Sequence, residues 1–312
     1  MTRFTWRDAE RVVEFGPDVA ERVPDLLARH GWDGYQVLTT ARADPGLDPV
    51  LHVGPGQVPE LAAELLPQVE AQRLVAWGGG RVIDVAKAIG SARGAAVCAV
   101  PTTLSGAEMS RGHRRATGHE RSPALRPALV LADPDLMTGM PQPELAWSAM
   151  NAMAHAMESL VTPLANPVTT MAGLRAARLL CGDDLALGSL LAGYALGASG
   201  FALHHVVCQT VVRECGTAHA CTNAALLPHT AAALMLRAPG PMREFAGELG
   251  VALPGLVERL EGLSRGARIE VDPARHGQLA DIAMQRAELA ATPGPRVTRG
   301  ELLGILAAAS PG

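Results

Sequence analysis

Lysine is all but missing from this chain. Lys87 is the only lysine among 27 lysines and arginines in 312 residues, so positive charge is otherwise written as arginine. Cysteine is scarce and unpaired. Cys98, Cys181, Cys208, Cys215 and Cys221 form an odd set with no CxxC spacing, which argues against a disulfide framework or a zinc knuckle and for a reducing, cytoplasmic setting. Excess positive charge is absent as well. The formal net charge is −4, which argues against a nucleic-acid partner or a polybasic membrane surface. Residues 1–8 hold no apolar run of the kind a signal peptide needs, and there is no internal repeat or low-complexity tail. The one long uncharged run, residues 185–203, is nearly long enough to cross a bilayer. Gly188, Gly193, Gly197 and Gly200 interrupt it, and Asp183, Asp184, His204 and His205 flank it without an aromatic belt. It reads as a buried helix that other helices approach over the glycines, not as a membrane span.

What is present suits two domains. Apolar residues make up 48% and charged residues 19%, enough for a sizeable core, and the length exceeds what one core usually fills. Short β-rich runs at 11–15, 35–40, 74–77, 96–100 and 128–131 alternate with helical stretches at 19–29, 58–72 and 82–92. That alternation predicts a parallel sheet with helices on both faces. Beyond about residue 143 no convincing strand remains. Helical periodicity is read at 146–162, 169–180, 185–215, 223–236, 241–249, 255–263, 274–291 and 299–309. The expected organisation is α/β plus all-α: a nucleotide-binding domain over 1–143 and a helical domain over 144–312.

Three constellations carry chemistry. In the first, a buried strand ends in Gly78-Gly79-Gly80 and a helix begins. Glycines let backbone N–H groups approach an anion, and the helix N-terminus adds partial positive charge, as a pyrophosphate cradle requires. Neither GxGxxG nor the Walker A spacing is present. Asp84 and Lys87 lie on one helix face and can pair with each other or reach a ligand; the same residues also suit a plain strand–helix turn with a surface ion pair. The second is Pro101-Thr102-Thr103-Leu104-Ser105, expected at the same carboxyl edge of the sheet, where its hydroxyls can hold phosphate, ribose or an amide. The third lies in the helical half. Asn151 and His155 share a face, as do His205 and Gln209, and His204 and Cys208; His219 follows in a loop. Two helices and a loop can converge into a three-His site. Asn151 supplies a neutral ligand where a catalytic divalent ion prefers a carboxylate or thiolate, so no required metal is expected; if one binds, His155, His205 and His219 would hold it.

Together these motifs resemble the iron-containing (group III) alcohol dehydrogenase superfamily. Gly78-Gly79-Gly80-Arg81-Val82-Ile83-Asp84-Val85-Ala86-Lys87 is similar to its GGGSxxDxAK motif, and Pro101-Thr102-Thr103 to its nucleotide loop. The runs 103–109, 151–158, 165–168 and 203–205 look like its maleylacetate reductase branch. The resemblance implies a Rossmann-like (dehydroquinate synthase-like) nucleotide domain followed by a helical one, with the active site in the cleft. It also implies NADH or NADPH bound by Gly78, Gly79, Gly80, Asp84, Thr102, Thr103 and Ser105, with Lys87 in the same motif, and commonly a homodimer. Metal-dependent members use one Asp and three His; the matching residues here are Asn151, His155, His205 and His219.

Three departures stand out. Arg81 replaces the motif serine, Gln209 replaces the second His of HxxxH, and the stretch 41–52 is compressed. Arg81 and Arg42 suggest a preference for a 2′-phosphate. The expected activity is reduction of maleylacetate or a similar unsaturated keto diacid, a small-molecule substrate of aromatic-compound breakdown. In that reading His205 and His219 stabilise or protonate the enolate, Gln209, Asn151 and His155 complete the site, and Arg114, Arg115 and Arg213 are candidate carboxylate partners. The rival expectations are a metal-dependent alcohol dehydrogenase, a redirected non-redox biosynthetic enzyme, and a silent nucleotide-binding homologue.

Overall fold

Side-chain alternation along the strands decides the architecture of the first unit. In the computed structural model, which describes residues 2–310, the chain divides into units Met1–Met140 and Pro141–Gly312. This places the division just ahead of the expected residue 143. The first unit runs β1 (Phe4–Asp8), β2 (Arg11–Phe15), α1 (Val23–Arg29), β3 (Gln36–Thr39), β4 (Val50–His52), α2 (Val58–Leu65), β5 (Arg73–Gly78), α3 (Gly80–Arg93), β6 (Ala96–Pro101), β7 (Leu129–Ala132) and α4 (Pro134–Thr138). The sheet order is β1-β2-β7-β6-β5-β3-β4. All neighbours are parallel except β1 and β2.

Leu38, Leu74, Ala76, Val97 and Ala99 face one side and pack with Leu61 and Leu65 of α2 and Val82, Ile83 and Ile89 of α3. Val37, Val75, Cys98 and Val100 face the other and pack with Val23, Leu26 and Leu27 of α1. Strands covered on both faces show the apolar runs expected of a parallel sheet. β1 and β4 carry no such run, and for that reason the sequence pattern missed them: both are edge strands of mostly half-exposed or exposed residues. The strand order reverses between β3 and β5, the position where ligands of open α/β sheets bind.

The second unit contains α5 (Glu144–Glu158), α6 (Pro167–Leu180), α7 (Leu185–Ser199), α8 (Leu203–Cys215), α9 (His219–Arg237), α10 (Pro239–Glu248), α11 (Leu256–Leu263), α12 (His276–Met284) and α13 (Arg299–Ala309), with no strand among the described residues. α5 is central and packs on α6, α7, α8 and α9, which its small residues Ala149, Ala152, Ala154 and Ala156 permit. The run 165–168 is the start of α6, where Asn166 and Thr169 form a reciprocal capping box.

Two helical readings are corrected. The stretch 185–215 is not one helix: α7 ends at Gly200, whose φ is +76°, and α8 leaves at 101° to it. The stretch 274–291 is likewise broken, with α12 flanked by short 3-10 turns at Pro273–Arg275 and Ala287–Ala291. No single helix among the described residues is long and apolar enough to cross a membrane. The glycine reading holds at Gly188, where an added Cβ would come within 2.9 Å of Leu180.

Candidate functional site

The first two constellations lie at the carboxyl ends of β5 and β6. These strands pair Gly78 with Pro101, and the Thr102 amide donates to the Gly78 carbonyl at 3.2 Å. The loops that follow are therefore neighbours. A Cβ on Gly79 would sit 2.9 Å from Thr103 Cγ2, and one on Gly80 3.0 Å from Ser105 Cβ. Only glycine lets the threonine loop lie this close to the start of α3. Gly79 caps α3 without a side chain, and the first helical bond runs from the Ile83 amide to the Gly79 carbonyl. The amides of Gly80, Arg81 and Val82 thus point out of the helix end with the Thr103 and Ser105 hydroxyls beside them. Exposed Arg81 adds positive charge in the first turn. On the neighbouring strand, the Thr39 hydroxyl donates to the Trp77 carbonyl at 2.8 Å, tying β3 to β5 at the reversal point.

Lys87 does not reach outward. It is fully buried, its Nζ lies 2.8 Å from Asp84 Oδ1, and it donates to the carbonyls of Ala107 (3.0 Å) and Gly112 (2.7 Å). These two hydrogen bonds and the ion pair hold the ammonium, so Lys87 fastens the 105–112 loop under the nucleotide edge instead of touching a ligand. Glu108 is buried beside it with no hydrogen-bond partner on either oxygen, and burial pushes its carboxyl up to about 7.

The third constellation is built on α5, α8 and the start of α9. Asn151, His155 and Glu158 lie on one face of α5 and are all buried. Glu158, its last residue, reaches α8, whose own cap residue Ala202 supplies no side-chain bond. Glu158 Oε1 accepts the His204 amide at 2.7 Å, Oε2 accepts the His205 amide at 3.4 Å, and His205 Nδ1 lies 2.6 Å from Oε2. The carboxylate therefore caps α8 and orients the imidazole at the same time. With Nδ1 turned to Glu158, Nε2 of His205 is left buried and unpartnered, as are His155 Nδ1 and Asn151 Oδ1. The rings of His155 and His205 stack with centroids 4.8 Å apart.

Burial, with the neighbouring His219 adding to it, lowers His205 to about 3. Burial and then the facing imidazoles hold His155 well below its ordinary range. Burial raises Glu158, against the stabilising pull of the backbone amides it accepts. Both stacked rings are neutral near pH 7, and His205 presents a lone pair at Nε2.

His204 is structural. Its Nε2 bonds Asn223 Oδ1 and its Nδ1 bonds Thr230 Oγ1, both at 2.8 Å, while Asn223 Nδ2 donates to the His219 carbonyl at 2.9 Å. That chain fixes the first turn of α9, where His219 is exposed. Gln209 lies one turn beyond His205 on α8, and its Oε1 accepts from Arg286 Nη2 at 3.0 Å.

The surroundings of the expected carboxylate partners differ. Arg115 is occupied by the Ser122 and His113 carbonyls, Arg114 bonds Gln57, and Arg213 is exposed. Sequence reasoning missed Glu158, although its spacing from Asn151 and His155 on one helix face was readable. It also missed Arg286, for which no local signal exists.

Two family models match the chain: "Fe-containing alcohol dehydrogenase family, C-terminal" over residues 181–310 and "Iron-containing alcohol dehydrogenase" over 36–141. Maleylacetate reductase 2 of Cupriavidus pinatubonensis is 34% identical over 280 residues, covering 78% of this chain and 77% of that one. The chain belongs to the iron-containing alcohol dehydrogenase family. Within the family its similarity is to the maleylacetate reductase branch, and it is an NAD(P)H-dependent oxidoreductase. A maleylacetate reductase of Pseudomonas knackmussii is 33% identical over 274 residues, covering 76% of this chain and 77% of its own. The fold matches the solved maleylacetate reductase of Rhizobium sp. strain MTP-10005 with a TM-score of 0.83 at 24% identity, covering 99% of this chain and 98% of that one.

For this family member the uncapped start of α3, flanked by two hydroxyls, fits the pyrophosphate of a nicotinamide nucleotide. The iron of the family name fits less well. Among the described residues no three His, Cys, Asp or Glu side chains gather as a metal-holding group, and Asn151 brings an uncharged amide where a divalent ion is best served by a carboxylate.

Proposed function

We propose that this protein reduces the conjugated C=C of maleylacetate or a similar unsaturated keto diacid, without a bound metal. The observation that carries the reading is the neutral, carboxylate-oriented cluster of Asn151, His155 and His205, with three buried polar atoms that have no hydrogen-bond partner. The similarity to maleylacetate reductases supports the substrate class. The nucleotide, held by the Gly78–Gly80 turn, Thr102, Thr103 and Ser105, supplies hydride. Asp84 acts there through Lys87, fixing the loop that carries Ser105.

Hydride addition to the alkene carbon β to the ketone places negative charge on the ketone oxygen, which must be stabilised and the product carbon protonated. His205 is neutral with its Nδ1 hydrogen given to Glu158. Its Nε2 therefore accepts, and it serves to orient a proton donor instead of being the acid itself. His219, exposed and positioned through Asn223 and His204, is the proton donor. Asn151 donates through its amide NH2, and His155 packs against His205 to keep that ring in place. Arg81 beside the phosphates and Arg42 after β3 favour NADPH over NADH. The five free cysteines accord with a cytoplasmic location.

The test is NADH and NADPH oxidation followed by absorbance, with maleylacetate and metal-analysed protein, with and without EDTA. Turnover of metal-free protein that survives EDTA is the expected result. Turnover only with added zinc or iron would overturn metal independence, and nucleotide binding without any turnover would overturn the reductase reading.

A further inference from the structure

Arg286 is held in an unusual way for a residue between two helical segments. Its side chain is 16% exposed. Nε and Nη2 donate to Glu288 at 3.2 and 3.1 Å, and Nη2 also donates to Gln209 Oε1 at 3.0 Å. One edge of the guanidinium is thus fastened by a carboxylate and one corner by an amide oxygen. The remaining nitrogen, Nη1, is buried and has no hydrogen-bond partner. A buried guanidinium nitrogen without an acceptor is unfavourable, and the matching acceptor is an anion that takes two parallel hydrogen bonds.

Gln209 completes such a fork. Its carbonyl must face Arg286, because its own NH2 would meet another donor there. Its Nε2 is then turned away from the guanidinium. Arg286 Nη1 and Gln209 Nε2 are two donors that a carboxylate can bridge.

We propose that Arg286 and Gln209 together hold one carboxylate of the substrate, with Glu288 as the positioning residue that locks the guanidinium. The arrangement assigns a purpose to the departure at Gln209. A histidine in that position, with one nitrogen committed elsewhere, could not both accept from Arg286 and donate alongside it. Gln209 is one helical turn, about 5.4 Å, from His205 on the same face of α8. That is the span between a terminal carboxylate and a carbonyl a few bonds away.

The inference rests on the keto-diacid reading but is separable from it by experiment. In the presence of nucleotide, calorimetry compares binding of 3-oxohexanedioate with that of its mono-acid counterpart, 3-oxohexanoate, to wild type, Arg286→Gln and Glu288→Gln. Wild type is expected to prefer the diacid at least tenfold, Arg286→Gln to bind the two alike, and Glu288→Gln to fall between them. Unchanged nucleotide affinity and circular dichroism establish that the variants are folded, and Arg286→Lys serves in place of Arg286→Gln if the latter does not fold. Loss of diacid preference should appear in turnover as a raised KM with kcat changed much less. A preference that persists in Arg286→Gln, or is missing in wild type, overturns the assignment. Diacid preference that depends on Arg286 in a protein that fails to reduce maleylacetate would leave the carboxylate fork standing and overturn the reductase reading alone.

Discussion

Glu158 and His205 meet across two helices, Oε2 to Nδ1 at 2.6 Å, and both are shut away from water. The same carboxylate replaces the missing cap of α8, so one side chain sets both where the helix begins and how the imidazole faces. Folding and chemistry are joined there. Replacement of Glu158 by Gln keeps the shape but removes the charge and puts a donor against either the α8 amides or the imidazole. Stability should fall by about 1–3 kcal/mol, and kcat by roughly 10²–10⁴-fold as the tautomer is lost. Urea titration beside steady-state kinetics checks this; a variant with normal kcat would show that the orientation of His205 is irrelevant to turnover.

Acid should destabilise the protein well before ordinary carboxylates titrate. His204 and His113 are lowered to about 4 and His205 to about 3, and His155 is held well below its ordinary range, from an ordinary value of 6.5, chiefly by burial. Below 6.5 the unfolded chain binds protons that the native chain refuses, so stability drops as pH falls toward 4. Glu108, raised to about 7, and Glu158, also raised, act in the opposite sense over the range above their unfolded values. The imidazoles outnumber them. The net slope should be about 1–3 kcal/mol per pH unit, which corresponds to a Tm fall of several degrees. Melting curves at pH 7, 6 and 5 measure it, and a Tm that rises toward pH 5 would contradict the neutral-cluster assignment.

Gly79→Ala should weaken nucleotide binding more than it weakens the fold. Its Cβ would press on the methyl of Thr103 at 2.9 Å, and the threonine loop must move to relieve the contact. Nucleotide Kd should rise at least tenfold, or about 1.4 kcal/mol, by fluorescence titration. The Tm is expected to change by only a few degrees.

Lys87→Met removes the one lysine in the chain. Asp84 loses its partner, the Ala107 and Gly112 carbonyls lose a donor, and the carboxyl of Glu108 loses a compensating charge. The ammonium is fully buried and Asp84 is 30% exposed, so the loss should cost about 1–3 kcal/mol, which chemical denaturation would detect. Lys87→Arg should not rescue it, since a guanidinium is larger than the ammonium and cannot bring its donors to the single buried point shared by Asp84, Ala107 and Gly112.

Arg81→Ser restores the serine of the nucleotide motif. The ratio of kcat/KM for NADPH to that for NADH should fall several-fold, as the exposed guanidinium at the start of α3 is withdrawn from phosphate. An unchanged ratio in initial-rate assays would shift attention to Arg42.

Much of this protein is written locally. Leu74-Val75-Ala76 and Val97-Cys98-Ala99 are continuous apolar runs that alternate with helical stretches, and that succession points to a parallel sheet covered on both faces. The glycine run after β5 and the threonines after β6 announce a nucleotide edge because only backbone conformation and hydroxyl chemistry are involved. Asn151 and His155 share a face through helical geometry alone. The break at Gly200–Ala202 was not legible, because continuous helical periodicity runs through it and the carboxylate that starts α8 is 46 residues from His204. Lys87 stood out by its rarity, yet its partners at Ala107 and Gly112 are backbone carbonyls, which leave no mark in a sequence. Arg286 is 77 residues from Gln209 and looks like any other arginine until packing removes its solvent. What residues near one another can impose on the backbone is decided by the sequence itself; which charges lose water, and which distant groups then have to satisfy them, is decided only when the helices close together.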